Sequence, residues 1–253
     1  MKLNHDRTTW LQGHDADCLM PPAAPARPVR LVLLGAPGVG KGTQAELLSD
    51  TLGACHLSTG DIFRAARRLH PAGQTPAMHN AMEAMHKGEL VSDETVLAIV
   101  RERVRCLRCS GGFLLDGFPR TVVQAEALES LFNWERIALT GVINYQLPLD
   151  IIVARLSGRR TCADCKAVFH ISSLRHGREG ICAHCGGALV QREDDCPEAV
   201  HVRMAACQKS AQPLIDFYKQ RGILITIQAE GAPELVLERT LAALNVDVSL
   251  PTH

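Results

Sequence analysis

The stretch "GAPGVGKGT", Gly35 to Thr43, decides how this chain is read. Before it runs "VRLVLLG" (29–35), apolar without clear alternation, as a strand buried on both faces requires; after it comes a helical stretch ending near Gly53. Strand, loop and helix in that order make the glycine-rich segment a phosphate-binding loop rather than a plain turn. Glycines 35, 38, 40 and 42 let backbone N–H groups turn inward without side-chain clash, and the helix start adds its partial positive charge. Gly38, Val39, Gly40, Lys41, Gly42 and Thr43 are the expected cradle, with Lys41 reaching the outer phosphates.

The loop departs from the commoner G-x-x-x-x-G-K-[ST] form, because Gly42 follows the lysine and Thr43 comes one later. A hydroxyl directly on magnesium is therefore not expected, and carboxylates or waters would hold the ion. Asp116, closing the apolar run "GFLLD" (112–116), is the leading candidate, since a carboxylate at the C-terminal end of a buried strand faces the ligand crevice of a parallel sheet. Asp61 is the second candidate.

Similar runs recur at "ACHLS" (54–58), "GVINYQL" (141–147) and "GILITIQ" (222–228), separated by segments of helical spacing. Asp93 reads as the cap of "ETVLAIVRERV", and Gly88 as the end of "AMHNAMEAMHK". Alternating strands and helices predict an α/β fold with a parallel sheet covered on both faces. Ahead of it, residues 1–28 mix charge, glycine and four prolines without sustained periodicity, and a flexible N-terminal extension is expected.

Composition limits the function classes. Lys plus Arg equals Asp plus Glu at 27 each, so no global basic field draws the chain to nucleic acid or an anionic membrane. No apolar run approaches the roughly 18 residues of a membrane helix. Residues 1–28 also lack a secretory apolar stretch, so a cytoplasmic protein with reduced thiols is expected. The ten cysteines then read as metal ligands or packing residues rather than a disulfide framework.

Four cysteines interrupt the alternation of strands and helices. "CADC" (162–165) and "CAHC" (182–185) give the spacing C-x2-C-x16-C-x2-C, which fits a structural zinc ribbon. Cys162, Cys165, Cys182 and Cys185 would complete a tetrahedron at about 2.3 Å from Zn2+, with no position open for a substrate. The segment from about 158 to 195 shows little apolar periodicity, so an inserted lobe without a core of its own is expected. A redox device would need a reactive pair near a helix start. A nucleic-acid ribbon would need interleaved aromatics, where this lobe carries acidic "REDD". Cys55 reads as core, and Cys106 with Cys109 as packing residues rather than a third hook.

Five segments, "GAPGVGKGTQ", "LSTGDIFR" (57–64), "KGELVSDE" (87–94), "FLLDGFPRT" (113–121) and "SGRR" (157–160), stand in the order and approximate spacing of adenylate kinases. With "QREDD" and the final strand, the chain resembles that nucleoside monophosphate kinase family from residue 29 to about 245, in its long bacterial form with a zinc-containing lid. The resemblance implies a P-loop fold with a five-stranded parallel sheet flanked by helices. Its core would comprise 29–57, 92–157 and 196–253, with an AMP-binding lobe at 58–91 and the lid at 158–195. It further implies reversible transfer of the γ-phosphoryl group of MgATP to AMP, giving two ADP, by a monomer that closes its lid, with one structural Zn2+ and with Mg2+ carried by ATP.

Lys41, Arg120, Arg155, Arg159, Arg192 and Arg203 would then stabilise charge without a general base, since guanidinium forks suit phosphate oxygens. Arg155 and Arg159, four apart, would face the same way on one helix. By the same resemblance Thr59, Arg64, Glu89, Leu90, Val91, Gly117, Phe118, Pro119, Arg120, Gln124, Arg192 and Arg203 form the AMP site, with Thr59 favouring AMP over pyrimidine nucleotides. Arg155, Arg159, Val168, Phe169 and Gln228 join the loop at the ATP site. Phe169 stands before His170 where the family usually has tyrosine, and Gln228 takes a place often held by lysine. Two other readings stay open: a sister kinase using GTP as donor for AMP, or another nucleoside monophosphate kinase, and, from another class, a zinc-ribbon nucleic-acid-binding module on a nucleotide fold.

Overall fold

The computed structural model describes residues 8–12, 27–66, 74–87, 91–165, 167–174, 180–191 and 197–245. The apolar runs become strands β1 (Val29–Gly35), β2 (Cys55–Ser58), β3 (Gly112–Asp116) and β4 (Gly141–Gln146), with β5 (Arg159–Cys162), β6 (Val168–His170) and β7 (Leu189–Val190) preceding the last one, β8 (Leu224–Gln228). Five of them form one sheet in the order β2-β3-β1-β4-β8, with parallel pairing of β1 to β3 and β4 and of β2 to β3. Register sets Leu33 and Ser58 opposite Asp116, so β2 and β3 end level and β1 runs on to Gly35 at the C-terminal edge. That edge is where a parallel sheet offers its ligand crevice.

Burial explains why those runs are continuous. Leu31, Val32 and Leu33 of β1 and Phe113, Leu114 and Leu115 of β3 are all buried. The main core joins the sheet to α3 (Thr59–Ala66), α4 (Pro76–His86), α5 (Asp93–Arg101) and α7 (Val122–Glu135) through Ile62, Met78, Ile99 and Phe132. Each such side chain contributes about 1.5–3 kcal/mol by leaving water. Cys55 belongs to this core, and Cys106 and Cys109 pack against it.

Helix ends differ in part from the sequence reading. Ser92, in extended conformation, caps α5 by accepting from the Thr95 amide, and Asp93 is already the first helical residue. The correction follows from reach: the serine hydroxyl satisfies an orphan amide, which releases the Asp93 carboxylate for other partners. Helix α4 is capped by Thr75 and ends on Lys87, and the expected terminator Gly88 lies outside the described residues.

A second correction concerns residues 8–12, which are helical (α1, Thr8–Gln12) and carry a buried Trp10, so the flexible extension expected for 1–28 does not hold there. Its indole N–H donates to Ser58 O at 2.9 Å, and its carbonyl accepts from Arg103 Nε at 2.6 Å. An apolar ring with two anchored polar atoms offsets the entropy of ordering so short a segment.

The chain divides into two compact units. One holds residues up to Gly35, Gly40–Tyr145 and Ser210 onward; the other holds Ala36–Val39 and Gln146–Lys209. In the second, α8 (Leu149–Ser157) and α9 (Pro197–Gln220) meet through Ile152, Leu156, Val200 and Met204. Its three short strands form an antiparallel sheet in the order β6-β5-β7. Among the described residues from 159 to 191 the buried side chains are Thr161, Cys162 and Cys182, whereas Val168, Ile171, Ile181 and Val190 are exposed. This lobe has no apolar core there. Among the described residues no helix is long and apolar enough to cross a membrane.

Candidate active site

The phosphate loop is built by backbone conformation. Gly35, Gly38 and Gly40 have φ of 135°, 81° and 106°, values that L side chains rarely adopt. Helix α2 (Lys41–Leu52) starts directly after Gly40, with no side-chain cap and no acidic residue in its first turn. An anion is the group such a helix start suits. Lys41 turns back so that Nζ donates to Gly35 O at 2.6 Å.

Asp116 closes β3 as expected. Nε2 of His56 stands 3.6 Å from its Oδ2, too far for a hydrogen bond but close for charge. Burial works against ionising Asp116, but the imidazole of His56 and the nearby Lys41 ammonium outweigh it and hold the carboxyl below its ordinary 3.8. Ionised Asp116 therefore adds stability that is complete above pH 3.8 and is lost as pH falls through the lower folded value. Asp61, the second carboxylate, lies near enough to oppose that ionisation. Its Oδ1 is engaged by Nη2 of Arg64, one turn along α3.

Of the residues assigned to AMP in the first unit, Thr59, Gly117, Arg120 and Gln124 form one knot with Asp116. Thr59 Oγ1 donates to Asp116 O at 3.4 Å, and Arg120 Nε donates to Gly117 O at 2.8 Å. Gln124 is less available than its sequence position implied. Its Oε1 accepts from Arg120 N at 2.8 Å and its Nε2 donates to Asp93 Oδ1 at 2.6 Å, which leaves the second amide hydrogen for a base acceptor. Phe118 is buried in the core, Pro119 is buried after a cis peptide, and Arg120 is exposed. Val91 packs against the same core. Glu89, Leu90 and Arg192 lie outside the described residues, as does the Arg203 side chain.

In the second unit Arg155 Nη1 donates to Val39 O at 3.2 Å. Arg155 and Arg159 do not share a helix: α8 ends at Ser157 and Arg159 opens β5. Gly158 caps α8, its carbonyl accepts from the Ile171 amide of the returning segment at 2.8 Å, and a Cβ there would stand 2.1 Å from His170 Nε2. Phe169 meets His184 edge-on at 5.3 Å between ring centroids, and Val168 is exposed. Back in the first unit, Gln228 lines an open concavity of about 600 Å3 with Thr226, Ile227 and Arg239, and its carbonyl accepts from Arg239 Nη1 at 2.9 Å.

The four cysteines converge. Their sulfurs all lie within 4.8 Å of one another, with Cys162 to Cys185 at 3.4 Å and Cys165 to Cys182 at 3.5 Å. Thiolates around a tetrahedral zinc stand about 3.8 Å apart, so the set fits that ion. The amides of Asp164 and His184 donate to the sulfurs of Cys162 and Cys182, both at 3.4 Å. Such donors orient the sulfurs toward a common point.

The adenylate kinase family profile matches residues 33–223. Adenylate kinase of Bacillus licheniformis is 46% identical over 202 residues, covering 80% of this chain and 91% of the relative. Those of Caldicellulosiruptor saccharolyticus and Streptomyces coelicolor are 45% and 44% identical over 219 and 220 residues, each covering 87% of this chain and 100% of the relative. The chain belongs to the adenylate kinase family. It is accordingly a phosphotransferase.

The residues that hold the site from behind carry little signal in the sequence. His56 gave no signal because its neighbour Asp116 comes from another strand. Asp93 was legible only as a helix-start residue, yet it anchors both Gln124 and the Thr121 hydroxyl, the latter at 3.0 Å. A Cβ at Gly117, where φ is +81°, would stand 2.8 Å from Thr59 Oγ1. Gly117→Ala is therefore expected to cost about 1–3 kcal/mol of stability and to raise the KM for AMP, read by thermal melting and by an AMP titration.

Proposed function

We propose that the chain catalyses reversible transfer of the γ-phosphoryl group of MgATP to AMP, giving two ADP. The observation that carries this reading is the knot of Thr59, Asp116, Gly117, Arg120 and Gln124 at the C-terminal edge of β2 and β3, with the Lys41 charge bearing on Asp116. Phosphoryl transfer leaves little covalent work for a protein, so alignment and charge neutralisation supply the rate. Lys41, Arg120, Arg155, Arg159, Arg192 and Arg203 bear on the phosphates, while Thr59, Arg64, Gly117 and Gln124 hold AMP. Asp116, with Asp61, holds Mg2+ through water, and that ion screens phosphate charge when bound. The concavity at Gln228 supports a seat for the donor adenine.

Residues 58–91 form the acceptor lobe in this reading and 158–195 the lid, which keeps water from the γ-phosphate and so prevents hydrolysis. Cys162, Cys165, Cys182 and Cys185 hold one structural Zn2+. The enzyme works as a cytoplasmic monomer.

Initial rates of ADP formation with ATP and GTP, each against AMP, CMP and UMP, test the proposal. ATP with AMP should be the fastest pair. A higher rate from GTP with AMP would make this the sister kinase, whereas no turnover with any pair and tight, salt-sensitive binding of DNA or RNA would favour the nucleic-acid module.

A further inference from the structure

We infer that α1 is a positioning element for the acceptor site, with Trp10 holding the corner between β2 and α3 that carries Thr59 and Arg64. The inference rests on reading that corner as the AMP site. Trp10 is 1% exposed and shares the main core with Ile62 and Ala66 of α3. Its indole N–H donates at 2.9 Å to the carbonyl of Ser58, the residue directly before Thr59. The corner is thus pinned through a backbone atom, which no substitution within the corner itself would replace.

The strut is anchored from the other side. Arg103, also 1% exposed, donates from Nε to Trp10 O at 2.6 Å and from Nη1 to Ile99 O at 2.7 Å and Glu102 Oε2 at 3.2 Å. Glu102 Oε2 accepts as well from the hydroxyl of Thr75, at 2.8 Å, the residue that caps α4. A buried guanidinium is tolerable only when such acceptors surround it, so the Trp10 carbonyl completes a requirement that Arg103 sets. A five-residue helix is far below the length that is stable alone, so α1 owes its form to this seat. It lies outside residues 33–223, the stretch the family profile matches.

Loosening the corner should act on AMP and spare ATP. The test uses Trp10→Phe, which keeps a ring in the seat and removes the N–H donor, and a deletion of residues 1–12. Arg120→Ala serves as the control for the site reading. For Trp10→Phe the KM for AMP should rise about two- to tenfold, as loss of one buried hydrogen bond implies, with kcat and the KM for ATP within about twofold of the parent. The deletion should raise it further. Trp10 and Trp134 are the two tryptophans, and Trp134 is 84% exposed, so Trp134→Phe leaves Trp10 as the sole indole, excited selectively beyond the absorption of tyrosine. Its emission should be that of a buried indole and should change on adding AMP.

Equal changes in both KM values, an unchanged KM for AMP, or the emission of a water-exposed indole would each overturn the inference. Should the deletion not fold, the Trp10→Phe kinetics and the emission decide alone. An Arg120→Ala variant with parental KM for AMP would instead overturn the site reading, and the strut would fall with it.

Discussion

Lys41→Ala is expected to lower the rate of ADP formation by on the order of 100- to 1,000-fold, the usual loss when one preorganised donor to a developing anion is removed. The lysine opens α2, rests its ammonium on the Gly35 carbonyl and reaches far enough to favour the ionised form of Asp116. No acidic side chain in the first turn of α2 competes for it. The loop amides remain in the variant, so nucleotide binding should weaken less than turnover, and kcat should fall by more than KM rises. Thermal melting should stay close to the parent. A coupled assay for ADP reads the effect, and parental turnover in Lys41→Ala would remove the lysine from the chemistry.

Stripping metal from the four cysteines should have the largest effect on stability. Structural zinc supplies about 10–16 kcal/mol to small peptides, and this lobe has little else to hold it. Its large apolar residues Val168, Ile171, Ile181 and Val190 face outward, and the described buried side chains are two of the cysteines and one threonine. Even a ~4 kcal/mol share would move a melting temperature by roughly 8–16 °C. Chelation should release one zinc per chain and lower the melting temperature by at least that amount, and Cys162→Ser should do the same without chelator. A melting curve unchanged by loss of metal would show that the sulfurs do not clip the lobe.

What was legible in the sequence was what local pattern determines. The runs 29–35 and 112–116 are β1 and β3 to the residue, because a strand covered on both faces must be apolar throughout. The glycine-rich loop and the paired cysteines were readable for a similar reason: spacing alone prescribes which backbone turns or sulfurs can meet. What was not legible depends on partners distant in the chain. Trp10 lies 48 residues from Ser58 and 93 from Arg103, and five residues carry no usable period. Arg155 and Arg159 look like helical neighbours, but the Gly158 carbonyl pairs with the Ile171 amide, 13 residues on, and Arg159 opens β5. Gln124 reads as an open amide, and only the fold shows that Asp93 and the Arg120 backbone already hold two of its hydrogen-bonding groups.

The outward-facing apolar residues of the lobe carrying β5, β6 and β7 have a calorimetric consequence. Heat-capacity change and urea sensitivity both scale with surface hidden from water, and the described residues of this lobe from 159 to 191 bury only the side chains of Thr161, Cys162 and Cys182. The sheet should therefore melt with a large rise in heat capacity and a steep dependence on urea. Loss of the sulfur cluster should register as heat and proton uptake by the freed thiolates, with scarcely any change in either slope.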